Sequence, residues 1–144
     1  MMRNPTPAES RATIRALKLE MMRGVIGAIQ WLIEHPEAQT RRQLATDDRQ
    51  SHLTPTDPAV CKWCALGRVA HDFGVHPEMD ADGNPNIASI YSYVQKSIMK
   101  PLGLHNYSFV TANDKFSDPD RRQEMLKELM WTLGNKLDLM EKAA

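Results

Sequence analysis

The two cysteines of the chain are close together, and two histidines follow them. Cys61 and Cys64 form a C-x2-C pair, and His71 and His76 come next. Such a pair with nearby histidines is typical of a zinc site, but zinc fingers separate their two ligand pairs by about twelve residues so that the chain can turn back. Here six residues separate Cys64 from His71, and on one helix the two would be about 10 Å apart. We therefore predict no metal and no cofactor.

Cys64 could also act as a nucleophile, with His71 or a residue distant in sequence as its base. A nucleophilic cysteine needs a pKa that a helix N-terminus or a nearby cation lowers. The spacing places Cys61 near the N-terminus of a helix, and it places Cys64 beside Trp63 as a small core residue. The first residues have no secretion signal, so we expect both thiols to be reduced and the protein to be cytoplasmic.

An amide and a carboxylate are adjacent at Asn113 and Asp114, after a β-like run at Tyr107–Val110. Such a pair can cap a backbone turn, or it can present both groups to a ligand, and the sequence leaves both uses open. In the second case, Cys64, His71, Asn113 and Asp114 would converge on a pocket. That arrangement would indicate a small enzyme or a small-ligand binder.

The segment around Gly83 resembles the start of a calcium loop, with acidic residues at Glu78, Asp80 and Asp82. The twelfth position of such a loop needs a bidentate glutamate, and Ser89 stands there. We predict a polar turn without calcium. The sequence also lacks the glycine-rich phosphate loop, the nucleophile elbow and the H-E-x-x-H motif of common enzymes. These features favour a non-enzymatic protein.

Charges balance over the 144 residues, with 18 basic and 18 acidic side chains. Zero net charge argues against general binding of nucleic acid, because affinity for phosphates comes from uncompensated Lys and Arg. Four cations nevertheless follow near-helical spacing close to the start of the chain: Arg11, Arg15, Lys18 and Arg23. They form a solvated face, a docking strip for an acidic partner, or a contact with nucleic acid. A second basic pair, Arg41 and Arg42, lies in the polar stretch 36–58.

A mainly α chain carries these residues, and its length predicts one domain over residues 1–144. Hydrophobic residues make up 42% and charged residues 25%, as is usual in globular proteins. No apolar run approaches the roughly 18 residues of a membrane span. Caps, prolines and periodicity predict four helices with irregular connections, and leave room for a short β-hairpin at Thr46–Gln50. The helices are expected from Thr6 to His35, from Asp57 to Gly74, from Ile87 to Lys100 and from Ser117 onward.

The first and last helices carry the longest apolar stripes. In the first helix the stripe is Ile14, Leu17, Met21, Val25, Ala28 and Leu32, reinforced by Met22, Ile29 and Ile33. In the last helix it is Leu126, Leu129, Met130, Leu133, Leu137 and Met140, at heptad-like spacing. The last stripe either closes the core of one chain or forms the contact of a homodimer.

Three segments carry a recognisable order of motifs. They are Arg41–Asp47, Thr56–Ala70 with W-C-A-L-G at 63–67, and Thr111–Leu129 with N-D at 113–114. This order resembles a family of small bacterial and phage proteins of unknown function, and it covers most of the chain after the first helix. Two positions differ from the family pattern: Arg68 stands where members have Ala, and Ala112 stands where they have Trp. The resemblance implies no activity, cofactor or catalytic residue. It implies a phage or mobile-element gene, whose products often bind host proteins.

Our leading hypothesis is a non-enzymatic protein-interaction module that acts on a host or defence protein. The alternatives are a small enzyme or ligand binder, and nucleic-acid binding through the basic face of the first helix. No membrane contact is expected, nucleic acid is the less favoured partner, and a homodimer stays open. The candidate ligand- or partner-binding residues are Arg11, Arg15, Arg41, Arg42, Trp63, Cys64, Arg68, His71, Asn113 and Asp114.

Overall fold

Five α-helices make up most of the computed structural model, which describes residues 3–143. The helices are α1 (Pro7–Glu34), α2 (Ala65–Asp72), α3 (Ile87–Tyr93), α4 (Asn106–Asp114) and α5 (Pro119–Lys142). Two short antiparallel pairs join β1 (Ala45–Thr46) to β2 (Lys62–Trp63) and β3 (Glu78–Met79) to β4 (Pro85–Asn86). The mainly α class is confirmed. At the expected hairpin, Thr46 and His52 form an antiparallel bridge around the turn.

Local signals set both ends of α1. Thr6 accepts a hydrogen bond from the Glu9 N–H at 3.1 Å, and Pro7 fills the first helical position. The helix ends before His35 because the residue preceding a proline is disfavoured in helical conformation. Its buried side chains are Met22, Val25, Ala28, Ile29 and Leu32.

The first half of α1 does not belong to the core. Ile14 and Leu17 are 52% and 54% exposed, so the prediction that they continue the buried stripe is wrong. Met22 is the first fully buried residue of the helix, and before it α5 reaches α1 at Arg15 without burying that side chain. About four turns of α1 therefore extend past the core.

Helices α1 and α5 run antiparallel along each other. Gln123 near the start of α5 donates to the Ile33 carbonyl at 2.6 Å, and Arg15 near the start of α1 donates to the Glu141 carbonyl at 3.0 Å. Leu126 and Leu133 are buried in the core, and the other four residues of the α5 stripe pack against it partly buried. The stripe thus closes the core of one chain. The large apolar side chains that α5 leaves exposed are Trp131 and Leu139.

The second helix starts later than its sequence signals predict. Asp57 caps only a turn, accepting from the Ala59 N–H at 2.9 Å. The chain then extends so that Trp63 pairs with Ala45 in the β1–β2 ladder, and α2 begins at Ala65. The predicted start at Asp57 is wrong because pairing with a distant strand overrides a local cap. The predicted end holds, since Gly74 adopts φ +64° just after the helix.

The β-like run Tyr107–Val110 is helical and lies in α4. His105 caps this helix by accepting from the Tyr107 N–H at 3.0 Å. Phe109, Ala112 and Asn113 point inward at helical spacing, whereas Tyr107 is exposed. The strand prediction fails because β-forming residue types can occupy a helix that buries one of its faces.

Two irregular helical segments follow α3, first a wider one and then a tighter one. They are a π-helical segment, Val94–Met99, and a 3-10 turn, Lys100–Leu102. Pro101 cannot donate a backbone hydrogen bond, which interrupts regular α-helical pairing there. Gly103 then turns the chain with φ +66°. Within residues 3–143, no helix has both the length and the apolar character that crossing a membrane would require.

Candidate functional site

The ten candidate residues lie in three places. Arg41, Arg42, Cys64, Asn113 and Asp114 meet at the N-terminus of α2, and we call this group the α2 cap network. Trp63, Arg68 and His71 lie where α2 packs on α1, together with Trp31, His35 and Asp72; we call this group the aromatic cluster. Arg11 and Arg15 lie on the exposed first half of α1, which we call the α1 end.

Cys64 is the N-cap of α2. Its sulfur accepts a hydrogen bond from the Gly67 N–H at 3.3 Å, and the residue is buried. Burial raises the pKa of the Cys64 thiol to about 12, against the weaker lowering by the Gly67 N–H. The thiol is therefore protonated at neutral pH and lacks the property that a nucleophilic cysteine needs. Cys61 is exposed and precedes β2, so Cys64 and not Cys61 is the cysteine at the N-terminus of the helix.

Asn113 and Asp114 bind backbone groups. The Asn113 amide oxygen accepts from the Ala65 N–H at 3.1 Å, and its nitrogen donates to the Thr40 carbonyl at 2.8 Å. The Asp114 carboxylate accepts from the Arg42 N–H at 3.0 Å, and the Asp114 carbonyl accepts from the Arg41 side chain at 2.9 Å. The sequence leaves open whether this pair caps a backbone turn or presents both groups to a ligand. The contacts in the structure are those of a backbone cap.

Gly67 completes the α2 cap network by letting the loop approach the helix. A Cβ at this position would lie 1.7 Å from the Leu44 carbonyl oxygen, so only glycine fits. The same carbonyl accepts from the Cys64 N–H at 3.0 Å. The W-C-A-L-G and N-D motifs thus meet in space, and together they hold the loop 39–46 against α2 and α4.

The aromatic cluster places one cation between two indole rings. The Arg68 guanidinium carbon is 3.7 Å from the centre of the Trp31 ring and 4.7 Å from that of Trp63. Its Nε lies 3.0 Å from an Asp72 oxygen, but its N–H does not point at that oxygen, so the contact is an ion pair without a hydrogen bond. The His71 Nδ1 is 2.8 Å from the same oxygen.

Two aromatic side chains outside the predicted set, Trp31 and His35, complete this cluster. His35 stacks on Trp31 with ring centres 4.1 Å apart, and the Trp31 and Trp63 rings meet edge to face at 5.7 Å. The spacing of Trp31 and His35 by four residues on one helix is the signal that could have paired them. The partners of Arg68 cannot be read from spacing, because Trp31 is far away in sequence.

The four residues of the enzyme or ligand-binder alternative do not surround one cavity. Cys64 and Asn113 are buried at the N-terminus of α2. His71 lies seven residues further along, about 10 Å away, and its ring packs against Trp63. In the part of the chain that the structure describes, no group of three or more His, Cys, Asp or Glu side chains is placed to hold a metal ion.

The turn around Gly83 uses its first carboxylate internally. One Asp80 oxygen accepts from the N–H groups of Asp82 and Asn84, both at 2.9 Å. Gly83 itself has φ +79°, which suits the turn between β3 and β4. The contacts are those of a polar β-turn.

Basic residues continue the buried stripe of α1 beyond the core. Arg11, Arg15 and Lys18 precede Met22, Val25 and Ile29 at steps of four and three residues, so all six share one face of the helix. Arg15 donates to the Met140 and Glu141 carbonyls at the C-terminus of α5, a place that favours a cation. Arg23 pairs with Glu141 at 3.2 Å. Two of the four cations in the predicted row are thus used within the chain.

Open grooves border α1 on opposite faces. One, at the α1 end, has a volume of about 330 Å³ and is lined by Arg11, Ile14, Arg15, Lys18, Leu19, Met140 and Ala143. The other, between α1 and α2, has a volume of about 570 Å³ and is lined by Glu20, Met21, Gly24, Gly27, Trp31, Asp72 and Phe73. The first groove combines an apolar floor with a basic rim.

Comparison with family models, curated proteins and solved structures finds no match to this chain. The resemblance to small bacterial and phage proteins therefore stays a prediction.

Proposed function

We propose that this protein is a non-enzymatic interaction module whose α1 end binds an acidic amphipathic helix of another protein. One observation carries the proposal: the face of α1 that is apolar in the core becomes basic where burial ends. Arg11, Arg15 and Lys18 occupy the positions that would be apolar if this chain covered them itself. Arg15 is held by carbonyls at the end of α5. Arg11 and Lys18 have no ion-pair partner within residues 3–143, and an acidic partner would complement them.

The groove at the α1 end supports a helical partner. Ile14, Leu19 and Met140 provide its apolar floor, and the cations stand along its rim. A partner helix placed there would pack on α1 and α5 as a third helix, with its apolar face on the floor and its acidic residues beside the rim.

The same features disfavour two other occupants. Nucleic-acid interfaces are more polar and more densely cationic, while here Arg15 and Arg23 are already engaged with α5. A symmetric homodimer through this groove would set Arg11 and Lys18 against their own copies, and like charges repel. We expect light scattering at tens of micromolar to give the mass of one chain.

Two designed peptides test the proposal directly. Both are 21-residue helices with Leu at i, i+3, i+4 and i+7, and the remaining positions are Glu in one peptide and Lys in the other. By fluorescence anisotropy at low salt, we expect the Glu peptide to bind at micromolar concentration and the Lys peptide at least tenfold more weakly. Because exposed ion pairs contribute about 0.2–1 kcal/mol each, the double variant Arg11→Glu/Lys18→Glu should weaken binding of the Glu peptide about tenfold. Lys127→Glu, on an exposed position of α5, is the matched control.

Equal affinity for the two peptides, or an unchanged affinity in the double variant, would refute the proposal. So would a salt-sensitive gel shift with duplex DNA, or binding to anionic vesicles, that is tighter than binding to the Glu peptide. Each of those results would assign the cations to a different class of partner.

The resemblance to small bacterial and phage proteins suggests the identity of the partner. We propose that it is a host or defence protein in the cytoplasm. A photo-crosslinking residue at position 14 tests it in cells that express the protein, with position 79 on the β3–β4 hairpin as the control, because Met79 is also exposed. We expect crosslinks to an acidic helical segment from position 14 alone. The same crosslinks from both positions would contradict the proposal.

A further inference from the structure

Arg122 is an unusual residue in this fold. Among residues 3–143 it is the one charged residue that is buried, with 9% of its surface exposed. Buried arginines are normally paired with a carboxylate, because an uncompensated charge is costly to remove from water. No ion pair of Arg122 exists within the described chain.

A glutamine holds one end of the Arg122 guanidinium. Its Nε donates to the Gln39 oxygen at 2.9 Å, and the Gln39 nitrogen donates to Gln123 at 2.7 Å and to the Leu32 carbonyl at 2.8 Å. The two terminal nitrogens of Arg122 make no hydrogen bond with residues 3–143, and they are not sealed from solvent. The guanidinium is therefore fixed in orientation while its outer donors are free.

A second guanidinium lies close by. Arg41, two residues after Gln39, donates through Nε to the Asp114 carbonyl. Burial and the charge of Arg41 lower the pKa of Arg122, and the charge of Asp114 opposes them. The residue after Arg41, Arg42, also contacts Asp114, because its backbone N–H donates to the Asp114 carboxylate. Two guanidinium groups, those of Arg122 and Arg41, thus lie near each other and near the Asp114 carboxylate.

We propose that Arg122 and Arg41 form a binding site for a phosphate group. A guanidinium presents its donors in a fork that matches phosphate oxygens, and two forks can share a tetrahedral anion. Arg122 and Arg41 carry two positive charges against the one negative charge of Asp114, so the pair keeps a positive excess that favours an anion. The site lies at the opposite end of α5 from the groove at the α1 end, about 27 Å along the helix, so it does not depend on the function proposed above.

A variant of Asp114 distinguishes this proposal from a simpler explanation. In the simpler explanation, the Asp114 carboxylate is itself the counter-ion of Arg122, at a distance. If the site binds phosphate, Asp114→Asn removes a repulsion and should tighten phosphate binding severalfold. The asparagine keeps an oxygen that can accept from the Arg42 N–H. If Asp114 is the counter-ion, the same variant should lower the melting temperature without any gain in phosphate affinity.

Inorganic phosphate is the probe, at pH 7.5 and with chloride at matched ionic strength as the reference. We expect phosphate to raise the melting temperature of the full chain and calorimetry to show binding, while acetate has no effect. Arg122→Gln should weaken phosphate binding at least tenfold. Arg41→Gln, at a partly exposed position, should do the same and covers the case in which the Arg122 variant does not fold. Arg121→Gln, on the exposed neighbouring position, should bind like the wild type.

Three results would overturn the proposal. One is equal phosphate affinity in the wild type and in the Arg41→Gln variant. Another is a melting-temperature increase with acetate as large as that with phosphate. The third is destabilisation by Asp114→Asn with no gain in affinity.

Discussion

Replacing Asn113 by alanine removes three hydrogen bonds from a side chain that is 2% exposed. The Ala65 N–H and the Thr40 carbonyl lose their partner in Asn113, and so does the Asp114 carboxylate. A buried polar group left without a partner costs about 1–3 kcal/mol. With two backbone groups affected, we expect Asn113→Ala to lower the free energy of unfolding by about 2–6 kcal/mol. That is a large share of the roughly 5–15 kcal/mol of a typical domain.

Urea unfolding followed by tryptophan fluorescence and by circular dichroism measures this loss. Asn135→Ala is the matched control, because Asn135 is exposed on α5; we expect it to stay within about 0.5 kcal/mol of the wild type. Asn113→Asp keeps an acceptor for Ala65 but loses the donor to Thr40, and it adds a charge beside Asp114. It should be as destabilising as the alanine variant at neutral pH and should recover partly at acidic pH, where the new carboxyl becomes neutral and can donate.

A loss no larger than that of the control would refute the assignment of Asn113 as a cap. So would an Asn113→Asp variant whose stability rises with pH, because a buried carboxylate beside Asp114 must be more stable when protonated. Either result would return the N-D pair to the ligand-binding interpretation.

Three further predictions concern the same region. Gly67→Ala should lower the free energy of unfolding by more than about 3 kcal/mol, because the new Cβ would collide with the Leu44 carbonyl. Gly134 has open space around it, so Gly134→Ala should raise the free energy of unfolding by about 0.5–1 kcal/mol. Urea unfolding of both variants measures this difference, and equal effects would contradict it. Iodoacetamide at pH 7.5 should modify exposed Cys61 and spare buried Cys64, as peptide mass spectrometry would show; equal labelling would contradict the described burial. Because the folded pKa of Cys64 is raised from 9.0 to about 12, its contribution to stability is complete below pH 9 and is lost as pH rises towards 12, by about 1 kcal/mol at pH 10. Cys64→Ser should remove that part of the alkaline loss, and an unchanged pH profile would contradict it.

The sequence predicted the two long helices well, because their signals are local. Thr6 with Pro7 starts α1, Pro36 follows its end, and α5 begins after Asp118 with its side chain on the Asp120 N–H. The start of α2 could not be predicted in this way. It depends on pairing between Trp63 and Ala45, eighteen positions apart, and such pairing leaves no local pattern.

The α2 cap network was predictable in part. The sequence indicates that Asn113 and Asp114 form a cap or a site, but their partners Thr40, Arg42 and Ala65 lie in other segments. The role of Gly67 depends on the Leu44 carbonyl. Motif residues can be recognised along the chain, whereas what they touch depends on how distant segments pack.

The motif residues of this protein and two of its cations differ in how far contacts within the chain account for them. The motif residues Gly67 and Asn113 have complete partners inside the chain, and packing accounts for them. Lys18 and Arg122 are cations without an ion-pair partner in residues 3–143, one on the extension of a buried stripe and the other in the interior. Burial removes Arg122 from water without a charged partner, whereas Lys18 is exposed where the buried stripe of α1 continues past the core. If the two proposals above hold, partners from outside the chain compensate these charges, and the functional surfaces lie there rather than at the motifs.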